Sequence, residues 1–294
     1  MSDSSCSMQE QDFPALYRSA DDLSLKSQQH FFRALRVHLV TLVVAAILSI
    51  VSIPHWSVAA AQLLALLGAL GCSIYLFAMR PDRFWYAGRA VAESIKTITW
   101  RYVCRAEPFE GDDANARNDF SQTLKQIVEQ NREVCQALTE HLDGQQFTPV
   151  MDKMRARTLE ERKATYADYR IKEQLTWYAK KASFNRRMSC YFFWLLIGVN
   201  TIAVICAILR MVYVNQPYWP TDVFVAIAAS VLNWMQAKRF SELAASYALA
   251  AHEIGLIKEQ SLLPDSAEKF SLFVGNAENA FSREHTQWVA RKGT

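Results

Sequence analysis

The residue types most often used for chemistry are present in this chain, but their spacing does not assemble a catalytic centre. Six histidines occur. His30 and His38 are eight positions apart, and His252 precedes Glu253 with no second histidine four residues on, so no metal-ligand spacing results. Glu160 and Glu161 are adjacent, yet within Thr158-Leu159-Glu160-Glu161 they read as a helix-capping box rather than an acid/base pair. Neither a phosphate-cradling glycine loop nor a GxSxG elbow occurs, and the nine glycines are scattered. The six cysteines, at positions 6, 72, 104, 135, 190 and 206, form no CxxC pair, and three lie in or beside apolar runs. They read as small buried hydrophobes in a reducing compartment. The expectation is a protein that is not an enzyme and uses no cofactor or metal. Its net charge of +3 is too small to argue for nucleic acid.

Two other groups of residues carry more information. Asn200 and Thr201 sit in an apolar run, and Asp222, Ser230 and Asn233 fall on one helical face of another together with Ala226 and Ala237. Polar groups at membrane depth are costly unless they face protein or water, so these five are pore-lining candidates. Interhelical hydrogen bonding is an equal reading. The second group is Trp85, Arg89, Glu93, Lys96 and Trp100, which recur at helical spacings on one face. Glu93 can pair with Arg89 and Lys96, leaving two indoles to pack on a neighbour. The face reads as a packing seam, with a nucleotide pocket built from Arg and Trp as the alternative.

Both groups depend on the elements that carry them. The composition, 51% hydrophobic with a mean hydropathy of −0.03, resembles that of a soluble protein. That average conceals four apolar runs, 37–53, 58–79, 188–209 and 219–237, of 17, 22, 22 and 19 residues. Crossing a bilayer takes about 20. The runs form two hairpins with short loops, which disfavours core helices of a soluble fold, and the 36 polar residues ahead of the first are too long for a signal peptide. Ala61, Ala65, Gly68, Ala69 and Ser73 give the second run a small-residue face suited to close helix packing. Twelve Lys and Arg residues flank the runs on one side, while the hairpin loops carry Arg210 alone. Both termini and the middle segment are therefore expected in the cytoplasm of a multi-pass inner (plasma) membrane protein.

The expected fold is an all-α membrane protein with four transmembrane helices in two hairpins and long cytoplasmic helices forming a bundle. Its segments are 1–36, an N-terminal segment and entry helix; 37–79, the first hairpin; 80–142, an exit helix and a cytoplasmic helix; 143–187, a linker and long entry helix; 188–237, the second hairpin; and 238–294, C-terminal helices. The repeated layout suggests a duplicated unit. One helix is expected over 119–142, with Phe120, Leu124, Ile127, Val134 and Leu138 on its apolar face. From Thr158 no Gly or Pro intervenes before Gly198, so a single rod is expected, with Ala164, Ala167, Ile171, Leu175, Tyr178 and Ala182 as its stripe. A last helix opens at Asp265 and presents Phe270, Phe273, Ala277, Phe281 and Trp288.

The stretch Arg83-Phe84-Trp85-Tyr86-Ala87-Gly88-Arg89-Ala90-Val91-Ala92-Glu93-Ser94-Ile95-Lys96, followed by Trp100-Arg101-Tyr102, resembles the segment after the second span of SLATT proteins, the SMODS and SLOG-associating two-transmembrane effectors. The stretch 170–185, which includes Trp177 and Tyr178, resembles the entry helix of a second SLATT subfamily. Two SLATT units in tandem would cover nearly the whole chain. The resemblance implies a bacterial antiphage effector that oligomerises into a membrane pore when a nucleotide second messenger or a sensor protein triggers it. The competing expectation is a non-conducting membrane scaffold that recruits a cytoplasmic partner. The partners implied are the lipid bilayer, further copies of the chain, and that messenger or sensor.

Overall fold

Helix-forming sequence punctuated by a few strong caps dictates the architecture. The computed structural model describes residues 8–51 and 55–290, with side chains to residue 282. Among these residues there are eleven α-helices and no strand. In order they are α1 (Ala15–Ile50), α2 (Trp56–Met79), α3 (Pro81–Val103), α4 (Asp113–Gln130), α5 (Arg132–Gln136), α6 (Pro149–Arg155), α7 (Leu159–Tyr166), α8 (Lys172–Val212), α9 (Thr221–Lys238), α10 (Phe240–Gln260) and α11 (Ala267–Ala290). Three stretches, Ala15–Ile50, Trp56–Val103 and Leu159–Val212, are long and apolar enough to cross a membrane. The chain itself buries just 6 to 17% of their apolar windows. The fourth expected span forms α9, but Asp222, Asn233, Gln236 and Lys238 dilute it below that class.

The chain divides into two units. A polar unit gathers the segments up to Gln28, Asp82–Tyr178 and from Leu249 onward; an apolar unit gathers Gln29–Pro81 and Ala179–Ala248.

Local signals set the helix ends of the polar unit. The first amides of α1 are capped from far along the chain, Ala15 N–H donating to the Gln145 carbonyl at 3.0 Å and Leu16 N–H to Gln146 Oε1 at 3.1 Å. Gly144 makes this approach feasible, because a Cβ there would lie 2.6 Å from that of Ala15. Asp112 caps α4, Thr148 caps α6, and Thr158 with Glu161 forms the expected capping box of α7. The start of α11 differs from expectation: Ser266 accepts from Lys269 N–H, while Asp265 pairs with Lys269.

Two helices depart from the sequence reading. The helix expected over 119–142 starts earlier, at Asp113, and breaks at Asn131. There the side-chain amide donates to the Ile127 carbonyl at 2.9 Å and the backbone leaves the helical region, a competition typical of Asn. Phe120, Leu124, Ile127, Val134 and Leu138 are nevertheless all buried. The expected rod is continuous in the chain but contains one π-helical turn, Ala167–Ile171. A π turn inserts a residue and rotates the phase of the helix. Hence Ala164 of the expected stripe is exposed, whereas Thr165, Tyr166 and Arg170 join Ile171 and Tyr178 in the interior.

The core of the polar unit is aromatic, with Tyr102, Phe109, Phe120 and Phe147 in mutual ring contact. A buried guanidinium ties the loop after α3 to this core. Arg155 donates to the carbonyls of Tyr102 (2.7 Å), Phe109 (2.9 Å) and Gly111 (3.0 Å), and its Nε pairs with Asp113 at 2.9 Å. Helices α1 and α3 meet closely at Gly88, where a Cβ would lie 3.1 Å from the Ala20 carbonyl oxygen. The cysteines among the described residues are unpaired. Cys104 is buried as expected, but Cys190 is exposed on α8.

Candidate functional site

The Trp/Arg/Glu/Lys face of α3 does more than pack. It forms one wall of a cavity of about 210 Å³ in the polar unit, closed by Phe13, Tyr17 and Asp21 near the chain start and by Glu173, Gln174 and Trp177 of α8. Both stretches singled out in the sequence, that of Arg89 to Trp100 and that of Trp177, therefore converge on one site. Tyr178 is buried beside Trp177, its ring centroid 4.9 Å away. Trp85 lies outside the cavity lining, stacked on Tyr86 with its carbonyl accepting from the Ser24 hydroxyl.

Charges inside the cavity are largely self-compensated. Arg89 bridges two carboxylates, Glu93 at 2.6 Å and Asp21 at 3.5 Å. Burial pushes the pKa of Asp21 above the usual carboxylate range, against the pull of Arg89. Lys96 has no ion-pair partner among the described residues and stands near the Phe13 ring, 5.9 Å from its centroid. The buried indole N–H of Trp100 likewise has no acceptor among the described residues. Four carboxylates, Glu10, Asp21, Glu93 and Glu173, face two cations. A phosphate entering here would meet Lys96 and would have to draw Arg89 from its carboxylates. The volume is below the roughly 300 to 1,000 Å³ common for ligand clefts, which suits a small ligand or one moiety of a larger one.

Burial lowers the pKa of Lys96, Arg170 acts in the same direction, and Glu93 and Glu173 oppose them. Between that lowered value and the ordinary lysine pKa of about 10.4 the unfolded chain binds more protons than the folded one. This group's destabilisation is therefore complete below the window and disappears as pH rises through it. Lys96→Met is expected to stabilise the fold at neutral pH. It should also flatten the rise in melting temperature as the pH approaches the ordinary lysine pKa. Equal slopes for the two proteins would count against a strained Lys96.

A second polar cluster, missed by the sequence reading, adjoins this wall. Glu278 of α11 is fully buried and accepts four hydrogen bonds: from Arg170 Nε (2.8 Å) and Nη2 (2.7 Å), the Tyr166 hydroxyl (3.0 Å) and the Thr97 hydroxyl (3.1 Å). Burial opposes the charge on Arg170, but the carboxylate outweighs it and raises the guanidinium pKa. The π turn delivers Arg170 to this position. No sequence motif announced it, since a buried carboxylate on an amphipathic helix looks like any surface glutamate.

The pore-lining candidates lie in the apolar unit. Asn200 and Thr201 are exposed on α8, and each bonds back to its own helix, Asn200 to the Leu196 carbonyl at 2.8 Å and Thr201 to that of Ile197 at 2.9 Å. Asp222 and Asn233 are exposed on α9, and Ser230 is half-buried. Along α2, Ala69 is buried and Gly68 packs against Thr41 of α1, while Ala65 is half-buried and Ala61 and Ser73 are exposed. The Ala69 carbonyl receives the Ser73 hydroxyl at 3.1 Å and lies 3.0 Å from His38 Nδ1 of α1. Among the described residues no group of three His, Cys, Asp or Glu side chains is arranged to hold a metal.

Three apolar helices able to span a bilayer, joined in one chain to a folded polar unit with an internal cavity, define an α-helical membrane protein. The chain belongs to the SLATT family, with two of its domains in tandem: residues 14–163 match the SMODS and SLOG-associating 2TM effector domain 3, and residues 166–288 match domain 1 of the same series. No curated protein and no solved structure matches it. The boundary between the two matches falls inside α7, so the cavity and the Glu278 cluster both draw on the two domains at once.

Proposed function

We propose that the protein is a pore-forming effector of a bacterial antiphage system. Four spans cross the inner membrane with both termini in the cytoplasm, and several copies enclose the pore. The polar unit stands in the cytoplasm and keeps the pore closed until a nucleotide second messenger or a sensor protein acts on it. No catalysis is involved.

The observation that carries this reading is the exposure of Asn200, Thr201 and Asn233 on helices whose other faces are apolar. Asn200 and Thr201 donate to their own helices, and Asn233 makes no hydrogen bond among the described residues. They do not join helices within one chain. Hydrocarbon is a poor environment for such groups, so water in a pore or a second copy of the chain has to cover them. The exposed apolar windows of the three long helices are the surface that lipid would occupy.

Induced expression in cells loaded with a membrane-potential dye tests the proposal. Depolarisation with arrest of growth is expected once the trigger is supplied. Intact potential under every trigger tried, cyclic oligonucleotides included, would favour the non-conducting scaffold.

A further inference from the structure

The cavity beside α3 is lined by two sets of polar groups that lack counterparts. One set donates. Lys96 has no ion-pair partner among the described residues, and the indole N–H of Trp100, a side chain 1% exposed, has no acceptor among them. The two stand four positions apart on α3, about 6 Å along its axis and on one face, and both line the cavity. The other set accepts. Glu10, in the short turn Glu10–Asp12 ahead of α1, and Glu173, in the first turn of α8, line the same cavity and make no ion pair among the described residues. Arg89 is already engaged, held by Glu93 at 2.6 Å and by Asp21 at 3.5 Å.

The charge balance narrows what can enter. Four carboxylates against two cations leave the cavity with an excess of negative charge. Asp21 registers it: burial raises its pKa, Arg89 opposes, and Glu10 and Glu93 add to the rise. A polyphosphate would bring several further negative charges to a single uncommitted ammonium. A simple amine would suit Glu10 and Glu173, but it would meet Lys96 as a like charge and leave the indole N–H bare. A molecule carrying a carboxylate and an ammonium on one carbon supplies a partner to both sets, and each pairing removes the cost of a buried group left unbonded. The rings of Phe13 and Trp177 add apolar wall for the side chain of such a molecule.

We propose that this cavity binds a free α-amino acid with an apolar or aromatic side chain, its carboxylate on Lys96 and the Trp100 N–H and its ammonium toward Glu10 and Glu173. Such a ligand bridges α3, α8 and the segment ahead of α1, so occupancy stabilises the polar unit. The proposal goes beyond the pore reading and does not depend on it, since binding is measured without conduction.

The test uses the full-length protein in detergent micelles, with thermal unfolding and isothermal titration calorimetry read against each of the common L-amino acids. At least one apolar or aromatic amino acid, at about a hundred times its dissociation constant, is expected to raise the melting temperature by about 5 °C. The corresponding acid without its amino group, and the amine without its carboxyl group, should each bind about tenfold more weakly or worse. E10Q/E173Q alters two exposed side chains and should lose about tenfold or more in affinity, while E259Q on α10 should bind as the wild-type protein does. K96M, the more stable protein without ligand, should nevertheless lose the response, which a merely structural role of Lys96 would leave in place. An amine that binds as tightly as its parent amino acid would show that the carboxylate is not read and would overturn the proposal. So would an undiminished response in E10Q/E173Q. Binding of a cyclic oligonucleotide that K96M abolishes would assign the cavity to a nucleotide and overturn it. Absence of both heat and thermal shift with every amino acid on the folded wild-type protein overturns it whatever the variants do.

Discussion

Glu278→Ala is expected to destabilise the polar unit by about 3 to 5 kcal/mol, because it strands Arg170 with no other carboxylate bonded to it among the described residues. The guanidinium is 1% exposed and Glu278 0%, so neither charge can recover hydration without opening the core. Arg170→Met should cost a similar amount, leaving the carboxylate with the Tyr166 and Thr97 hydroxyls alone. The double variant R170M/E278L separates charge from shape. Replacing a buried ion pair with apolar side chains of similar volume is often neutral or stabilising, so most of the lost stability should return. Denaturant unfolding in detergent measures all three. A double variant as unstable as either single one would show that the hydroxyl network, rather than charge compensation, holds this region.

The same cluster has a mechanical meaning. It fastens α11 to α3 and to the π turn preceding α8, and it joins residues of both SLATT domains: Thr97 of the first to Tyr166, Arg170 and Glu278 of the second. The polar unit is therefore a joint product of the two domains. The tandem arrangement, legible in the sequence as a repeated layout, does not yield two independent modules there. Any signal that reaches the cavity wall at Lys96 lies one residue from Thr97 and is felt electrostatically by Arg170.

The sequence disclosed the helices better than their phase. Long uncharged runs are visible because lipid-scale hydrophobicity leaves no other reading, and three of the four satisfy the length and polarity that a span requires. The stripe on the rod holds from Ile171 onward but fails at Ala164, ahead of the π turn, because a regular 3.6-residue period cannot anticipate one inserted residue at Ala167–Ile171. The break at Asn131 was missed for a related reason: the side chain competes locally with the backbone, while the buried face on either side keeps its period. At the cavity, Arg89, Glu93, Lys96 and Trp100 line one wall together, while Trp85, read from its spacing onto the same face, stands outside the lining. The opposing wall from α8 and from Phe13 to Asp21 is a tertiary fact that no local pattern encodes. Arg155 and Glu278 were illegible because the partners that make a buried charge tolerable, carbonyls of a loop in one case and an arginine 108 positions away in the other, are distant in the chain.

Asn200→Leu and Asn233→Leu are expected to abolish ion leakage without loss of membrane insertion. Leucine is favourable at the centre of a membrane helix by about 0.5 kcal/mol, so the substitution removes a cost and leaves insertion intact. In the single chain the Asn200 amide is occupied by the Leu196 carbonyl, leaving its own carbonyl oxygen to face outward from α8. If that oxygen touches water in a pore, an isobutyl group in its place dries the constriction, and dewetting blocks conduction even where the opening is wide enough for an ion. Leakage from vesicles should then fall at least tenfold, and Asn200→Gln, which keeps a polar group there, should preserve much of it. The outcome to compare is subunit association. If Asn233→Leu lowers leakage by dispersing the assembly, as measured by cross-linking in the membrane, the residue bonds copies together. If the assembly persists and the current is gone, Asn233 faces the water. Unchanged leakage with an intact assembly would remove it from the wall and return the weight to Asn200 and Thr201.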